Sequence, residues 1–159
     1  MTIQVGEKLP EHNFSILGEE GMQNLSTQDL FAGKKIVLFA VPGAFTPTCS
    51  EAHLPGYVTL ADKFSDAGID AIYCLSVNDA FVLSAWAKSQ NAEFITMLAD
   101  GDGAFVSALG LQMDTAAFGG VRAQRFAMML DDGLVKILNV EEPKAFEVSK
   151  ADAMLAAIQ

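Results

Sequence analysis

Short apolar runs separated by polar turns dominate the middle of the chain. Residues 36–41 are continuously apolar and end at a Pro-Gly pair, a pattern typical of a strand buried on both faces. A helix with apolar residues at helical spacing is predicted to begin near Thr46 or Thr48 and to run toward Gly68. The Pro-Gly pair at 55–56 predicts a kink in this helix.

The next segments continue the alternation of strand and helix. A second strand is predicted over residues 69–77, and Asn78 or Asp79 can cap the helix that follows it. A third apolar run lies at 94–98. The middle of the chain therefore has a β-α-β-α-β pattern.

The last part of the chain predicts a hairpin and a closing helix. Residues 122–130 and 134–140 are apolar-rich segments joined by Asp-Asp-Gly, which favours a tight turn. A terminal helix is predicted over 149–158. Parallel units followed by an antiparallel hairpin indicate an α/β, thioredoxin-like fold, with a central mixed sheet and helices on both faces. We expect a single domain over residues 1–159, because no linker or repeat interrupts the sequence.

Composition narrows the classes of partner. Hydrophobic residues make up 51% and charged residues 19% of 159 residues, which favours a globular chain. A net charge of −10 repels phosphate backbones and anionic lipids, so neither nucleic acid nor membrane partners are expected. The start of the chain has no signal-peptide pattern, and a cytoplasmic location is predicted. Two cysteines are too few for a disulfide scaffold, so thiol oxidation here would be catalytic.

One cysteine lies where the first strand turns into the first long helix. If Thr46 is the N-cap, Pro47 takes the first helical position and Cys49 the third. If Thr48 is the N-cap, it forms a capping box with Glu51 and Cys49 comes first. Both alternatives place Cys49 in the first turn of the helix.

A cysteine at a helix start is a candidate nucleophile. Unpaired backbone N–H groups and the positive end of the helix dipole favour the thiolate, although Glu51 opposes this effect. A cation near Cys49 is therefore needed to make the local field favour the thiolate. Arg122 and Arg125 are predicted on one strand, and the apolar neighbours of Arg125 indicate a guanidinium that faces inward. Arg125 is the candidate partner of the Cys49 thiolate.

Six motifs carry a resemblance to a known family. They are Val-Pro-Gly-Ala-Phe-Thr-Pro-Thr-Cys-Ser at 41–50, His-Leu-Pro-Gly at 53–56, Cys-Leu-Ser-Val-Asn-Asp-Ala-Phe at 74–81, Arg-Phe-Ala-Met at 125–128, Asp-Gly at 132–133 and Asn-Val-Glu-Glu at 139–142. Over nearly its whole length the chain resembles the atypical type II peroxiredoxins, in particular their one-cysteine, glutaredoxin-linked branch. A threonine replaces the first cysteine of the thioredoxin motif, so disulfide reductase activity is not expected.

The resemblance implies a thiol peroxidase that serves antioxidant defence and redox homeostasis. Cys49 would attack hydrogen peroxide or organic hydroperoxides and become a sulfenic acid, with no cofactor. Thr46 would hydrogen-bond the peroxide, and Arg125 would stabilise the thiolate and the transition state. Pro42 would shield the sulfur from water, and backbone N–H groups near Thr48 would complete the donor set.

The recycling step depends on the second cysteine. The mammalian branch of the family resolves its sulfenic acid with a cysteine near the C-terminus, but residues 140–159 contain none. Cys74 lies in a predicted strand, where an inert core thiol is the expected role. Pairing with Cys49 would require Cα atoms within about 7 Å. We expect an external thiol to resolve the sulfenic acid instead. The resemblance implies glutathione with glutaredoxin, and thioredoxin is the alternative.

Other residues near the motif have two interpretations each. His53, four residues after Cys49, can orient the site or simply pack against the helix. No further His or Cys lies near this pair in sequence, so no metal is expected. Phe118 belongs to the core by default, whereas the resemblance places it at the pocket rim or at a homodimer interface.

Two other hypotheses compete with the peroxidase. A redox sensor or holdase would use oxidation of Cys49 to change its association state and would oxidise a partner stoichiometrically. A silent thioredoxin-like interaction domain would not need Thr46, Cys49 and Arg125 together. A peroxidase differs from both because it turns over many times with a reductant.

Overall fold

The computed structural model describes residues 1–159. The chain forms nine strands and five α-helices, with one π-helical and one 3₁₀ segment. In chain order they are β1 (Asn13–Gly18), β2 (Gly21–Ser26), α1 (Thr27–Phe31), β3 (Lys35–Ala40), the π-helical segment (Cys49–His53), α2 (Leu54–Asp66), β4 (Ala71–Ser76), α3 (Ala80–Ser89), β5 (Thr96–Ala99), α4 (Ala104–Leu109), β6 (Gln112–Asp114), the 3₁₀ segment (Ala116–Phe118), β7 (Val121–Ala123), β8 (Phe126–Asp131), β9 (Leu134–Val140) and α5 (Ala151–Ile158).

Seven strands form one mixed sheet in the order β2-β1-β5-β4-β3-β8-β9. The pairs β3·β4 and β4·β5 are parallel, and the other pairs are antiparallel. The predicted β-α-β-α-β unit is therefore confirmed as β3-α2-β4-α3-β5. Strands β6 and β7 form a separate two-stranded sheet.

Each face of the large sheet carries its own apolar core. On β3, the side chains of Val37 and Phe39 belong to one buried cluster, and that of Leu38 to the other, as the twofold alternation of a strand requires. Helices α2, α3 and α5 contribute to the first cluster, and α1 and α4 contribute to the second. The predicted thioredoxin-like arrangement, with helices on both faces, is confirmed.

Two predicted local features are confirmed in detail. Asp132 (φ 53°) and Gly133 (φ 77°) form the two-residue turn between β8 and β9, and both have the positive φ that such a turn requires. Asp79 caps α3 by accepting a hydrogen bond from the backbone N–H of Val82 at 2.9 Å. Asn78 has another role, because its Oδ1 accepts from the N–H of Ala44 at 3.1 Å and thereby ties two loops together.

One predicted strand is wrong as a continuous element. Residues 122–130 are divided between β7 and β8, since β7 pairs with β6 whereas β8 pairs with β3 and β9. The chain changes sheet at Gln124 and Arg125, where the N–H of Gln124 donates to the carbonyl of Leu111 at 2.8 Å. The patterns also did not predict the N-terminal hairpin of β1 and β2. None of the helices has the length and apolar character needed to cross a membrane.

Candidate active site

The helix that carries Cys49 begins two residues before it, at Pro47. The carbonyl of Thr46 accepts a hydrogen bond from the N–H of Ser50 at 2.9 Å, and residues 47–48 are already helical. Thr46 is thus the N-cap position and Cys49 is the third helical residue. The alternative, a capping box from Thr48, is wrong because Thr48 itself has helical dihedrals (φ −62°, ψ −37°) and makes no side-chain cap bond.

The predicted kink takes the form of a π-helical turn. The N–H of Leu54 donates to the carbonyl of Cys49, five residues back, and Pro55 has no N–H to continue the usual ladder. Such π-helical turns occur frequently at functional sites. Both Cys49 and His53 lie in this segment and are fully buried.

Arg125 supplies the cation at the cysteine. Its Nη2 donates to Sγ of Cys49 at 3.1 Å, and its Nη1 lies 2.8 Å from Nδ1 of His53. The backbone carbonyl of Arg125 accepts from the N–H of Glu141 at 3.0 Å. The short break between β7 and β8 therefore fixes the arginine backbone next to the helix start. A guanidinium at this distance stabilises negative charge on the sulfur.

His53 is held between two fixed partners. Its Nε2 lies 3.0 Å from the carbonyl of Ser149, which also accepts from the hydroxyl of Tyr57 at 2.7 Å. Burial, followed by the charge of Arg125, lowers the pKa of His53 to about 3. His53 is therefore neutral at physiological pH. Of the two predicted roles, contact with the site is the one that the geometry supports.

Thr46, Pro42 and Thr48 surround the helix start. The hydroxyl of Thr46 donates to the carbonyl of Gly43 at 2.6 Å, which leaves its lone pairs free to accept. Pro42 and Thr48, together with Arg125, line a cleft of about 600 Å³. The remaining lining residues come from three stretches of the chain, which are Gln112 and Met113, then Gln124, and then Glu141, Glu142, Pro143, Lys144 and Ala145.

The second cysteine lies inside the sheet. Cys74, on β4, is fully buried in the same core cluster as Cys49, and both thiols are free. Burial, reinforced by the charge of Cys49, raises the pKa of Cys74 well above its usual range, although Arg125 acts in the opposite direction. The Cys74 thiol therefore stays protonated, and a protonated thiol is not a nucleophile.

Phe118 is not part of the cysteine environment. Its side chain is 84% exposed and does not line the cleft. The default expectation of a core position is therefore wrong, because the short 3₁₀ segment turns this side chain outward. Arg122 connects the segment after Phe118 to the end of β4. Its Nε donates to the carbonyl of Gly119 at 3.0 Å, and its Nη1 donates to the carbonyl of Val77 at 3.1 Å.

Three residues of the site were not predicted from the sequence. Ser149 supplies the carbonyl for His53, Glu141 binds the backbone around Ser149, and the ring of Phe146 packs against His53 with centroids 5.1 Å apart. Of these three residues, only Glu141 lies in a motif that the sequence analysis singled out, the Asn-Val-Glu-Glu motif that ends at residue 142. No three His, Cys, Asp or Glu side chains are grouped closely enough to hold a metal ion.

Comparisons with known proteins bear on this geometry. The family model described as Redoxin matches residues 4–155. Peroxiredoxin-2B of Arabidopsis thaliana is 45% identical over 159 residues, which cover 98% of this chain and 98% of that protein. The chain belongs to the peroxiredoxins of the Redoxin family. As a peroxiredoxin, it is a thiol-dependent peroxidase.

Solved structures agree with the fold of this peroxiredoxin. Reduced Prx3 from Vibrio vulnificus, in complex with hydrogen peroxide, superimposes with a TM-score of 0.98 at 60% identity, over 99% of this chain and 100% of that one. The Plasmodium falciparum antioxidant protein, a 1-Cys peroxiredoxin, superimposes with a TM-score of 0.90 at 28% identity, over 96% of each chain. The thioredoxin-like peroxiredoxin fold is thus shared with relatives of widely different sequence.

Proposed function

We propose that Cys49 is the residue oxidised by the peroxide. Its thiolate attacks the terminal oxygen of a hydroperoxide, an S–O bond forms and the O–O bond breaks. The sulfur loses two electrons and becomes a sulfenic acid, while the departing oxygen takes a proton and leaves as water or alcohol. The observation that carries this proposal is the 3.1 Å hydrogen bond from Arg125 to the Cys49 sulfur at a helix start.

The neighbouring groups match the charge that develops during this step. Negative charge moves from sulfur to the departing oxygen, so fixed donors lower the barrier most when they face both atoms. Arg125 and the N–H groups of the first helical turn are such donors. Thr46 donates its own proton to Gly43, so its oxygen accepts a hydrogen bond from the attacked O–H group. The complete burial of Cys49 excludes bulk water from the reacting atoms.

The cleft beside Arg125 supports hydrogen peroxide and organic hydroperoxides as substrates. Its volume of about 600 Å³ exceeds that of a single small peroxide, so it has room for an alkyl group. The structure of the Vibrio vulnificus relative contains hydrogen peroxide, which supports hydrogen peroxide as a substrate of this chain. Pro42 and Thr48 line this cleft together with Arg125, so a substrate bound there lies beside the residue that contacts the Cys49 sulfur.

A one-cysteine cycle is proposed for the return to the thiolate. Cys74 is protonated and buried, so an external thiol condenses with the sulfenic acid, releases water and forms a mixed disulfide. A second thiol then reduces this disulfide and regenerates Cys49. Glutathione with glutaredoxin is the proposed reductant and thioredoxin is the alternative. The 1-Cys relative from Plasmodium falciparum supports a cycle of this kind, and a cytoplasmic location stays a prediction.

A homodimer is proposed from exposed aromatic side chains. Phe45, Phe81 and Phe118 are 56%, 65% and 84% exposed. Phe45 lies in a loop, Phe81 in the first turn of α3 and Phe118 in the 3₁₀ segment. Hydrogen bonds link these segments, because the N–H of Ala44 donates to Oδ1 of Asn78 and Nη1 of Arg122 donates to the carbonyl of Val77. Exposed aromatic residues on connected segments are typical of an interface between protein chains. A second copy of this chain is the proposed occupant.

Rapid mixing of the reduced protein with hydrogen peroxide tests the proposal. We expect oxidation much faster than that of a free thiol in the parent and in Cys74→Ser, and none in Cys49→Ser. Repeated turnover with glutathione plus glutaredoxin, compared with thioredoxin, identifies the reductant. Oxidation of the parent at the rate of a free thiol would contradict the peroxidase assignment of Cys49. Fast oxidation without turnover would instead favour the redox sensor.

A further inference from the structure

We infer that Glu141 is a positioning residue for the Cys49 reaction and acts on Arg125 through Ser149, His53 and Phe146. This inference rests on the proposed function of Cys49. Glu141 does not touch Cys49.

The carboxylate of Glu141 binds a loop of the backbone. Its Oε2 accepts three hydrogen bonds, from the N–H of Glu147 at 2.8 Å, from the N–H of Ser149 at 2.9 Å and from the hydroxyl of Ser149 at 2.7 Å. The residue is 8% exposed. Burial raises its pKa, but the hydrogen bonds from Ser149 and Glu147 outweigh this effect and lower the pKa below its usual value. Glu141 is therefore an anion that holds residues 147–149 in one conformation.

The loop held by Glu141 fixes the tautomer of His53. The carbonyl of Ser149 can only accept, so Nε2 of His53, 3.0 Å away, must carry the proton. A guanidinium can only donate, so Nδ1, 2.8 Å from Nη1 of Arg125, must be the unprotonated nitrogen. Both partners therefore require the neutral Nε2–H form. With the carbonyl displaced, Arg125 is the one remaining contact that selects this tautomer. The Nδ1–H form then becomes accessible, and its N–H opposes the N–H of Arg125 and pushes the guanidinium away.

The same loop also carries an aromatic support for Arg125. The ring of Phe146 packs edge-on against His53, and Cζ of Arg125 lies 5.7 Å from its centroid. The backbone N–H of Glu141 donates to the Arg125 carbonyl at 3.0 Å. The backbone of Glu141 therefore binds the arginine backbone directly. Its carboxylate acts on the guanidinium through His53 and Phe146. Because Arg125 donates to the Cys49 sulfur, a displacement of the guanidinium weakens its stabilisation of the reacting sulfur and slows the reaction.

Glu141→Gln is the primary test, because it removes the charge and keeps the shape. Glu147→Gln is the matched control: it removes one acidic charge from the same loop, and its side chain is exposed. The first readout is two-bond ¹H–¹⁵N correlation of the imidazole rings in the reduced protein. The chain has two histidines, so His12→Gln assigns the signals. We expect Nε2–H for His53 in the parent and in Glu147→Gln, and a mixture with the Nδ1–H form in Glu141→Gln.

The second readout is the rate of Cys49 oxidation as a function of pH. We expect Glu141→Gln to be about 10- to 100-fold slower than the parent at neutral pH, the size expected for a lost hydrogen bond to a charged group. The midpoint of its pH–rate profile should move to higher pH, because a displaced guanidinium stabilises the thiolate less. Glu147→Gln should match the parent in both respects.

Ser149→Ala is a milder variant that removes one of the three hydrogen bonds and serves if Glu141→Gln does not fold. It should change the tautomer ratio and the profile in the same direction by less. A folded Glu141→Gln protein with the parent tautomer would overturn the inference, and so would a uniform loss of rate at every pH. If the parent itself reacts no faster than a free thiol, the peroxidase proposal fails. The imidazole spectra still decide the inference about His53 in that case.

Discussion

Arg125 and Cys49 lie 76 residues apart in sequence, yet Nη2 of the arginine donates a 3.1 Å hydrogen bond to the cysteine sulfur. The same guanidinium contacts His53 through Nη1, so its planar fork serves two acceptors at once. A guanidinium fixed at both nitrogens has little freedom to leave the sulfur.

Replacement of Arg125 tests the contact directly. Arg125→Lys keeps the charge but loses the fork, because one ammonium cannot reproduce the two planar contacts with Cys49 and His53. We expect the second-order rate of Cys49 oxidation to fall roughly 100-fold or more in stopped-flow measurements, the size typical of a lost transition-state donor. Lys63→Ala, an exposed cation of α2, should react at the parent rate. An unchanged rate in Arg125→Lys would show that charge alone is sufficient.

Thr46 is expected to act through its hydroxyl and not through its methyl group. The Thr46→Val variant removes the acceptor for the peroxide and also the donor to Gly43. We expect its oxidation rate to fall roughly 10- to 100-fold, whereas Thr46→Ser should retain most of the parent rate. Equal losses in both variants would contradict a role for the hydroxyl.

Cys74 should affect stability much more than catalysis. Cys74→Ser places a hydroxyl in an apolar core, so we expect the free energy of unfolding to fall by about 1–3 kcal/mol. Turnover at a temperature where the variant is folded should stay close to that of the parent. Urea unfolding and a peroxidase assay measure the two effects separately. Loss of turnover in folded Cys74→Ser would indicate that Cys74 takes part in resolution.

His53 should make the protein less stable in mild acid. Its pKa is about 3 in the folded protein and near 6.5 in an unfolded chain, so the unfolded state binds a proton that the folded state excludes. The free energy of unfolding therefore falls as the pH drops below 6.5, by about 2 kcal/mol between pH 7 and pH 5. Urea unfolding at several pH values should show this slope in the parent. It should be absent or reduced in His53→Gln, which cannot titrate.

Phe118 should control association. Phe118→Asp places a charge on the most exposed of the phenylalanines at 45, 81 and 118, so a dimer formed through these side chains should dissociate. We expect a dimer for the parent and a monomer for this variant in sedimentation experiments. Phe94→Asp is a suitable control because Phe94 is 57% exposed on a different segment of the chain. A parent that sediments as a monomer would contradict the proposed homodimer.

Local sequence patterns predicted most of the regular fold. The apolar run that became β3, the Asp-Gly turn before β9 and the cap of α3 each depend on residues that are neighbours in the chain. The patterns failed where partners are distant. The strand predicted over 122–130 breaks because β7 and β8 pair in different sheets, and that choice is made by remote strands.

By itself, the sequence determined the position of the reactive group. A strand that ends, a Thr-Pro start and the helix after it place Cys49 in the first turn, whichever threonine caps it, because backbone hydrogen bonding over a few residues sets that geometry. Only the tertiary structure decided the distances around the sulfur and the second layer of residues, Ser149, Glu141 and Phe146, behind it. Packing across the sheet brings Arg125 to Cys49, and the carboxylate of Glu141 shapes the loop that orients His53. The apolar neighbours of Arg125 and the family resemblance predicted this residue as the partner of Cys49, and the contact is confirmed. The geometry of these contacts joins residues that are remote in the chain, so no local pattern encodes it.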